Sequence, residues 1–79
     1  MNDAEILAGI REVVRAHFGA GAEIESDTPL VEALALDSLR LLTLVAEVEN
    51  RFRVCFEDGD EVGLVTATDL VAVVRRRLG

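Results

Sequence analysis

The sequence predicts an all-α fold, a small four-helix bundle of three long helices and one short one. Apolar residues recur every three to four positions in residues 3–18, in a stretch from residue 38 to residue 52 or 53, and after residue 66. This is the period of a helix with one buried face. Hydrophobic residues make up 51% of the 79 positions, which is enough for a packed core. We expect one domain spanning residues 1–79.

The first helix has clear start and stop signals. Asn2 or Asp3 can cap it, and Glu5 is spaced for a capping box with Asn2. Gly19 and Gly21 follow its last turn, where glycine commonly ends a helix. Its predicted buried stripe consists of Ile6, Leu7, Ile10, Val13, Val14 and His17.

Residues 19–36 form a long connection for so small a domain. Thr28-Pro29 favours an extended or turn backbone, and the segment still carries apolar residues that need cover. We therefore expect an ordered loop lying across the bundle, with a helical turn near residues 30–34.

The second helix is more apolar than one core face requires. Its predicted core stripe is Leu42, Val45, Val48 and Phe52, widened by Leu41 and Leu44. Leu39, Leu41 and Ala46 are in excess, which suggests an apolar contact surface near the helix start.

The last third of the chain predicts a link, a turn region and the final helix. Residues 53–57 form a short extended link, and residues 59–63 have room for at most a short helix. Thr66 and Asp69 have capping-box spacing at the final helix. Arg75–Arg77 lie in its last turn, where cations suit the helix dipole, and we interpret them as solvated.

Asp37 and Ser38 mark the most distinctive point of the sequence. Asp37 can accept hydrogen bonds from free N–H groups at the start of the second helix. Ser38 then lies in the first turn, at the positive end of the helix dipole, where a phosphate is held well.

Composition excludes several classes of function. With 15 acidic and 8 basic residues the net charge is −7, and Trp and Tyr are absent, so nucleic acid is not an expected partner. Cys55 is the only cysteine, which rules out an internal disulfide. We find no signal peptide and no stretch of membrane-spanning length, so we expect a cytoplasmic protein that does not bind a membrane.

We expect no catalytic and no metal site. His17 is the only histidine, and neither His17 nor Cys55 has partners for nucleophilic catalysis. The acidic residues of the 57–61 segment are too few and wrongly spaced for a calcium loop, and a solvated loop is the simpler interpretation.

The chain resembles the acyl carrier protein and peptidyl carrier protein family, in its discrete single-domain form. The resemblance covers nearly the whole chain. It rests on Asp27-Thr28-Pro29-Leu30, Leu34-Ala35-Leu36-Asp37-Ser38-Leu39, Glu47-Val48-Glu49-Asn50-Arg51-Phe52, Val54-Cys55-Phe56-Glu57-Asp58 and Thr66-Ala67-Thr68-Asp69-Leu70.

The resemblance implies a non-catalytic carrier. Ser38 would bear a 4′-phosphopantetheine arm, attached by a phosphopantetheinyl transferase that uses coenzyme A and a divalent metal. The thiol of the arm would hold acyl or aminoacyl groups as thioesters, supplied by a loading enzyme and used by downstream biosynthetic enzymes. Asp37 would cap the helix and contact the transferase. The chain would act as a monomer, and the predicted partner contacts are Leu39, Arg40, Leu41, Ala46, Glu47, Glu61 and Leu64.

Several positions depart from the family pattern. Ala35 stands where the family has glycine, Arg40 and Thr43 where carriers of fatty acid synthesis have acidic residues, and Glu57 where a proline is usual. These departures favour a polyketide, nonribosomal peptide or related specialised pathway over primary fatty acid synthesis. A fatty cargo would need an apolar cleft lined by Leu42, Phe56, Leu64 and Leu70.

The sequence is also compatible with a different class of function. A small acidic helical adaptor could bind a basic partner protein without any modification of Ser38. The net charge is compatible with both functions.

Overall fold

The computed structural model describes residues 1–19 and 23–79. Within them the chain forms four helices: α1 (Asp3–Phe18), α2 (Leu30–Leu34), α3 (Ser38–Phe52) and α4 (Ala67–Leu78). Helix α1 packs against both α3 and α4. The predicted all-α fold with three long helices and one short helix is confirmed.

Helix α1 begins as its sequence predicts. The Asn2 side chain accepts a hydrogen bond from the Glu5 backbone N–H (2.8 Å), and the Glu5 carboxylate accepts one from the Asn2 N–H (3.0 Å), which completes a capping box. The helix ends at Gly19, whose φ of 114° is one that glycine readily adopts. The other predicted stop residue, Gly21, lies outside the described residues.

Aliphatic side chains from all four helices form the core. The most completely buried are Ile6, Ile10, Val14, Ile24, Leu30, Leu44, Val48, Leu70 and Val74. Burying this apolar surface is the main favourable contribution to folding.

Glycine at position 9 allows the end of α3 to approach α1 closely. A Cβ atom at Gly9 would lie 2.5 Å from the Cζ atom of Phe52, a separation that real carbon contacts do not reach. Phe52 is buried as predicted, and its ring fills the space that Gly9 leaves.

Two residues of the predicted stripes of α1 and α3 are exposed to solvent. Leu42 is 65% exposed, because the buried face of α3 runs through Leu44, Val48 and Phe52 and turns Leu42 towards solvent. His17 is also exposed, with its Nε2 atom 3.6 Å from the Glu47 carboxylate. At the end of α1, a polar side chain gains more from this contact than from burial.

The described part of the α1–α2 connection is ordered by specific bonds. Ile24 is buried, and its carbonyl accepts a hydrogen bond of 2.6 Å from Arg11 Nε. The Ser26 carbonyl accepts bonds from both the N–H and the hydroxyl of Thr68. The loop therefore lies against α1 and the start of α4, as predicted, and the helical turn expected near residues 30–34 is α2.

The segment before α4 does not form the short helix for which the sequence left room. Residues 58–63 are a series of turns, with N–H groups of Asp60 and Val62 bonded to carbonyls three residues earlier. Gly59 and Gly63 have φ values of 93° and 84°, which a right-handed helix does not allow. The short helix of the bundle is therefore α2.

An ion cluster fastens these turns to α4. Arg77 makes two hydrogen bonds to the Asp60 carboxylate (2.8 and 2.9 Å) and one to Glu57 (2.7 Å). The Asp60 side chain is only 9% exposed. The interpretation of Arg77 and Asp60 as solvated residues is therefore wrong, because a bidentate pair covers both groups.

Arg77 also explains the acidity of Asp60. Its hydrogen bonds, followed by the bond from the Glu57 backbone N–H, lower the pKa of Asp60 from 3.8 to about 2. The folded protein therefore favours the ionised form more than the unfolded chain does. This contribution to stability is complete above about pH 4 and is lost as the pH falls towards about 2.

We expect Asp60→Asn to flatten the acid limb of the stability curve. The free energy of unfolding, measured by denaturant titration between pH 5 and pH 2 (roughly the range in which carboxylates titrate), should depend less on pH in the variant. Asp58→Asn is the matched control, since Asp58 is exposed and its carboxylate has no hydrogen bond to the described residues. Equal slopes for wild type and Asp60→Asn would contradict this account.

Candidate functional site

The candidate site lies at the start of α3. Asp37 is the N-cap, and its carboxylate accepts a hydrogen bond of 2.8 Å from the Arg40 N–H. Its carbonyl accepts the first helical bond, from the Leu41 N–H at 2.9 Å. The prediction that Asp37 caps the helix is confirmed.

Ser38 is the first residue of α3 and is exposed. Its hydroxyl makes no hydrogen bond to any residue of the 1–19 and 23–79 ranges. The backbone N–H groups of Ser38 and Leu39 precede the first helical bond and have no carbonyl partner within the helix. The site therefore combines a free hydroxyl with two unpaired N–H donors.

The backbone at the start of α3 favours an anion at Ser38, although the Asp37 carboxylate lies next to it. The first turn of α3 contains no acidic residue, and it does contain Arg40. The unpaired N–H groups and the aligned peptide dipoles of α3 give this end a partial positive charge. A phosphodiester attached to the Ser38 oxygen would fit this environment.

A left-handed residue connects α2 to the site. Ala35 has φ and ψ of 50°, and its N–H donates to the carbonyl of Val31 in the first turn of α2. The Leu36 N–H bonds to the same carbonyl at 3.0 Å. These two bonds end α2 and direct the chain towards Asp37. The left-handed conformation at position 35 explains why a glycine is favourable there in the family that the sequence resembles.

Arg40 links the helix start to two other elements. Its Nε atom donates to the carbonyl of Leu34, the last residue of α2, at 3.3 Å. Its guanidinium lies 5.2 Å from the centre of the Phe18 ring, at the end of α1. The sequence predicts Arg40 as a partner contact and as a departure from the family pattern, and no local pattern signals its contacts to Leu34 and Phe18.

Comparison with known proteins agrees with this geometry. Residues 6–74 match the family described as "Phosphopantetheine attachment site". The chain belongs to this family. Its cofactor is accordingly 4′-phosphopantetheine, and its role is that of a carrier of thioester-linked groups.

Curated relatives carry matching names. An acyl carrier protein of Beutenbergia cavernae is 32% identical over 92% of this chain and 90% of its own length. One from an Arthrobacter species is 34% identical over 92% of this chain and 91% of its own length. A meromycolate extension acyl carrier protein of Mycobacterium bovis is 33% identical over 91% of this chain and 64% of its own length.

Exposed apolar residues follow Ser38 along one face of α3. Leu39 is 73% exposed, Leu42 is 65% exposed, and Ala46 is exposed as well. Their spacing of three and four residues places them on the same side of the helix. We call Leu39, Leu42 and Ala46 the apolar strip of this carrier.

The other predicted partner residues lie in different surroundings. Leu41 is half-buried. Glu47 lies beside His17 of α1. Glu61 is exposed in the turns before α4, and Leu64 packs against the core. The structure thus brings Leu39 and Ala46 together on one face and does not place the others with them.

The residues proposed for an acyl cleft do not line one surface. Leu70 is fully buried, and Phe56 and Leu64 pack against the core, whereas Leu42 faces solvent on the apolar strip. A cleft does lie between residues 58–64 and α4, but charged residues including Asp60, Arg76 and Arg77 line much of it. It is therefore a different cleft from the predicted one.

In the ranges 1–19 and 23–79, no group of three or more His, Cys, Asp or Glu side chains is arranged to hold a metal ion. No helix described there combines the length and the apolar character needed to cross a bilayer.

We expect the cap at Asp37 to be required for a stable helix start. Asp37→Ala should lower the free energy of unfolding by about 1 kcal/mol, because the Arg40 N–H loses its acceptor. Asp37→Asn is the matched control: it removes the charge but keeps a capping oxygen, so its stability should stay close to that of wild type. Urea denaturation of the three proteins measures the difference, and equal losses for Ala and Asn would contradict the capping role.

Proposed function

We propose that Ser38 is the residue that carries the phosphopantetheine arm. The observation that supports this most strongly is the exposed, unbonded Ser38 hydroxyl beside two unpaired helix N–H groups. The hydroxyl is accessible to a transferase, and the phosphodiester formed there gains from the positive helix end. When bound, the arm supplies a thiol that holds cargo as a thioester.

The chain's own residues have separate roles in this proposal. Asp37 fixes the first turn of α3 through its bond to Arg40, and so sets the direction of the Ser38 side chain. Its carboxylate is also exposed, and therefore accessible to basic groups on a phosphopantetheinyl transferase. The remaining partners are a loading enzyme and the downstream biosynthetic enzymes.

For the pathway we propose dedicated, specialised biosynthesis, such as polyketide or nonribosomal peptide formation. The support comes from two positions of α3. Arg40 and Thr43 stand where carriers of fatty acid synthesis have acidic residues, so partner enzymes meet a less negative surface near Ser38. A relative named for meromycolate extension is compatible with a dedicated role. Since the matched relatives are named acyl carriers, an acyl cargo is better supported than an aminoacyl one.

We further propose that residues 1–79 act as a single carrier domain, as a monomer, in the cytoplasm. The core supports the first of these points, because buried side chains from all four of the described helices belong to one cluster.

The attachment residue can be tested by mass. Incubation with coenzyme A, Mg²⁺ and a promiscuous phosphopantetheinyl transferase should add one phosphopantetheinyl group to wild type and none to Ser38→Ala. Ser26→Ala is the matched control, because Ser26 is the only other serine, is exposed, and bonds to Thr68 through its backbone carbonyl. It should be modified like wild type in intact mass spectrometry.

Two results would overturn the proposal. The first is no mass gain in wild type, and the second is an equal gain in Ser38→Ala. An adaptor function would instead appear as partner binding that is the same in unmodified wild type and in Ser38→Ala.

We also propose that partner enzymes dock on the apolar strip. Leu39 is the strongest candidate, because it is adjacent to Ser38 and its side chain contributes little to the core. Burial of such a side chain in an interface is a typical source of binding energy.

Leu39→Ala should lower kcat/KM for modification at least about fivefold, mainly through KM, with little change in folding stability. Val65→Ala is the matched control, since Val65 is 59% exposed and lies on another segment. Steady-state kinetics with the transferase measures both variants. Unchanged kinetics for Leu39→Ala, or equal losses in both, would contradict a docking role for the strip.

A further inference from the structure

Three elements meet at the side chain of Arg40. The residue belongs to the first turn of α3, and its N–H is bonded to the Asp37 carboxylate. Its Nε atom donates to the Leu34 carbonyl at the end of α2. Its guanidinium lies over the Phe18 ring at the end of α1, within the range of a cation–π contact.

These contacts act on the part of the chain that leads into Ser38. Leu34 is buried, so the end of α2 has a fixed position in the core. Between Leu34 and Asp37 the chain has only the left-handed Ala35 and the half-buried Leu36. A non-glycine residue is disfavoured in that conformation, so the connection needs support from outside itself.

We propose that Arg40 is a positioning residue for Ser38, clamping the α2–α3 connection to the end of α1. This inference rests on the proposed attachment at Ser38 and adds a residue to it. The planar guanidinium suits the task, because one edge bonds the carbonyl while the face covers the ring. Arg40 thus has a structural task of its own, besides any contact with a partner.

The clamp can be tested with single and double variants of its two halves. Arg40→Met keeps the apolar stem and the helix propensity but removes the donor and the charge. Phe18→Leu keeps an apolar side chain but removes the ring. Amide hydrogen exchange at Leu36, whose N–H bonds to the Val31 carbonyl, reports on the connection, and exchange at Val73 in α4 corrects for any change in global stability.

We expect each single variant to speed exchange at Leu36, relative to Val73, by about fivefold. The double variant should show no more than the larger single effect, because both changes break the same clamp. The kcat/KM for modification should fall in both single variants. Three results would each overturn the clamp. The first is an unchanged exchange rate at Leu36 in Arg40→Met, and the second is a double variant in which the two increases in exchange rate multiply. The third is a loss of kcat/KM that occurs only in Arg40→Met.

The two proposals fail in different ways. If Ser38 were not the attachment residue, wild type would not be modified there, while the exchange data would still decide whether Arg40 clamps the connection.

Discussion

The hydrogen bond between the Asp37 carboxylate and the Arg40 N–H is the interaction on which the site depends. It fixes the residue at which α3 begins, and so it determines that Ser38 lies in the first turn with its hydroxyl exposed. A helix that began one residue later would make Ser38 the N-cap, and its side-chain oxygen would then accept a hydrogen bond from the helix instead of facing solvent. The chemistry of attachment and the folding of α3 therefore rely on the same few atoms.

Helix α1 packs against α3 and contacts its first turn through Phe18. Its apolar face contacts α3 and α4, and Gly9 allows Phe52 to pack closely against it. At the last residue of α1, the Phe18 ring lies against the Arg40 guanidinium. The ion cluster of Arg77 and Asp60 fastens the turns before α4 in a similar way, with charges in place of apolar contacts. The apolar strip of α3 takes no part in these contacts and is exposed.

Local signals in the sequence were sufficient for the helices and for the capped start of α3. Capping residues such as Asn2 and Asp37 act within three residues, so their effects can be predicted from spacing alone. Tertiary contacts could not be predicted this way. Leu42 has a helical spacing that fits a core stripe, yet only the packing of α3 against α1 decides that it faces solvent. The contacts of Arg77 and Arg40 likewise join residues from separate elements.

The most direct test of the account is peptide-level mass spectrometry of the protein isolated from its native host. Proteolysis followed by fragmentation identifies the residue that bears the arm, and any thioester still attached reveals the chemical class of the cargo. The account predicts a phosphopantetheinyl group on Ser38, with an acyl cargo in the loaded fraction. An unmodified Ser38 in all of the isolated protein, or the arm on another residue, would contradict it.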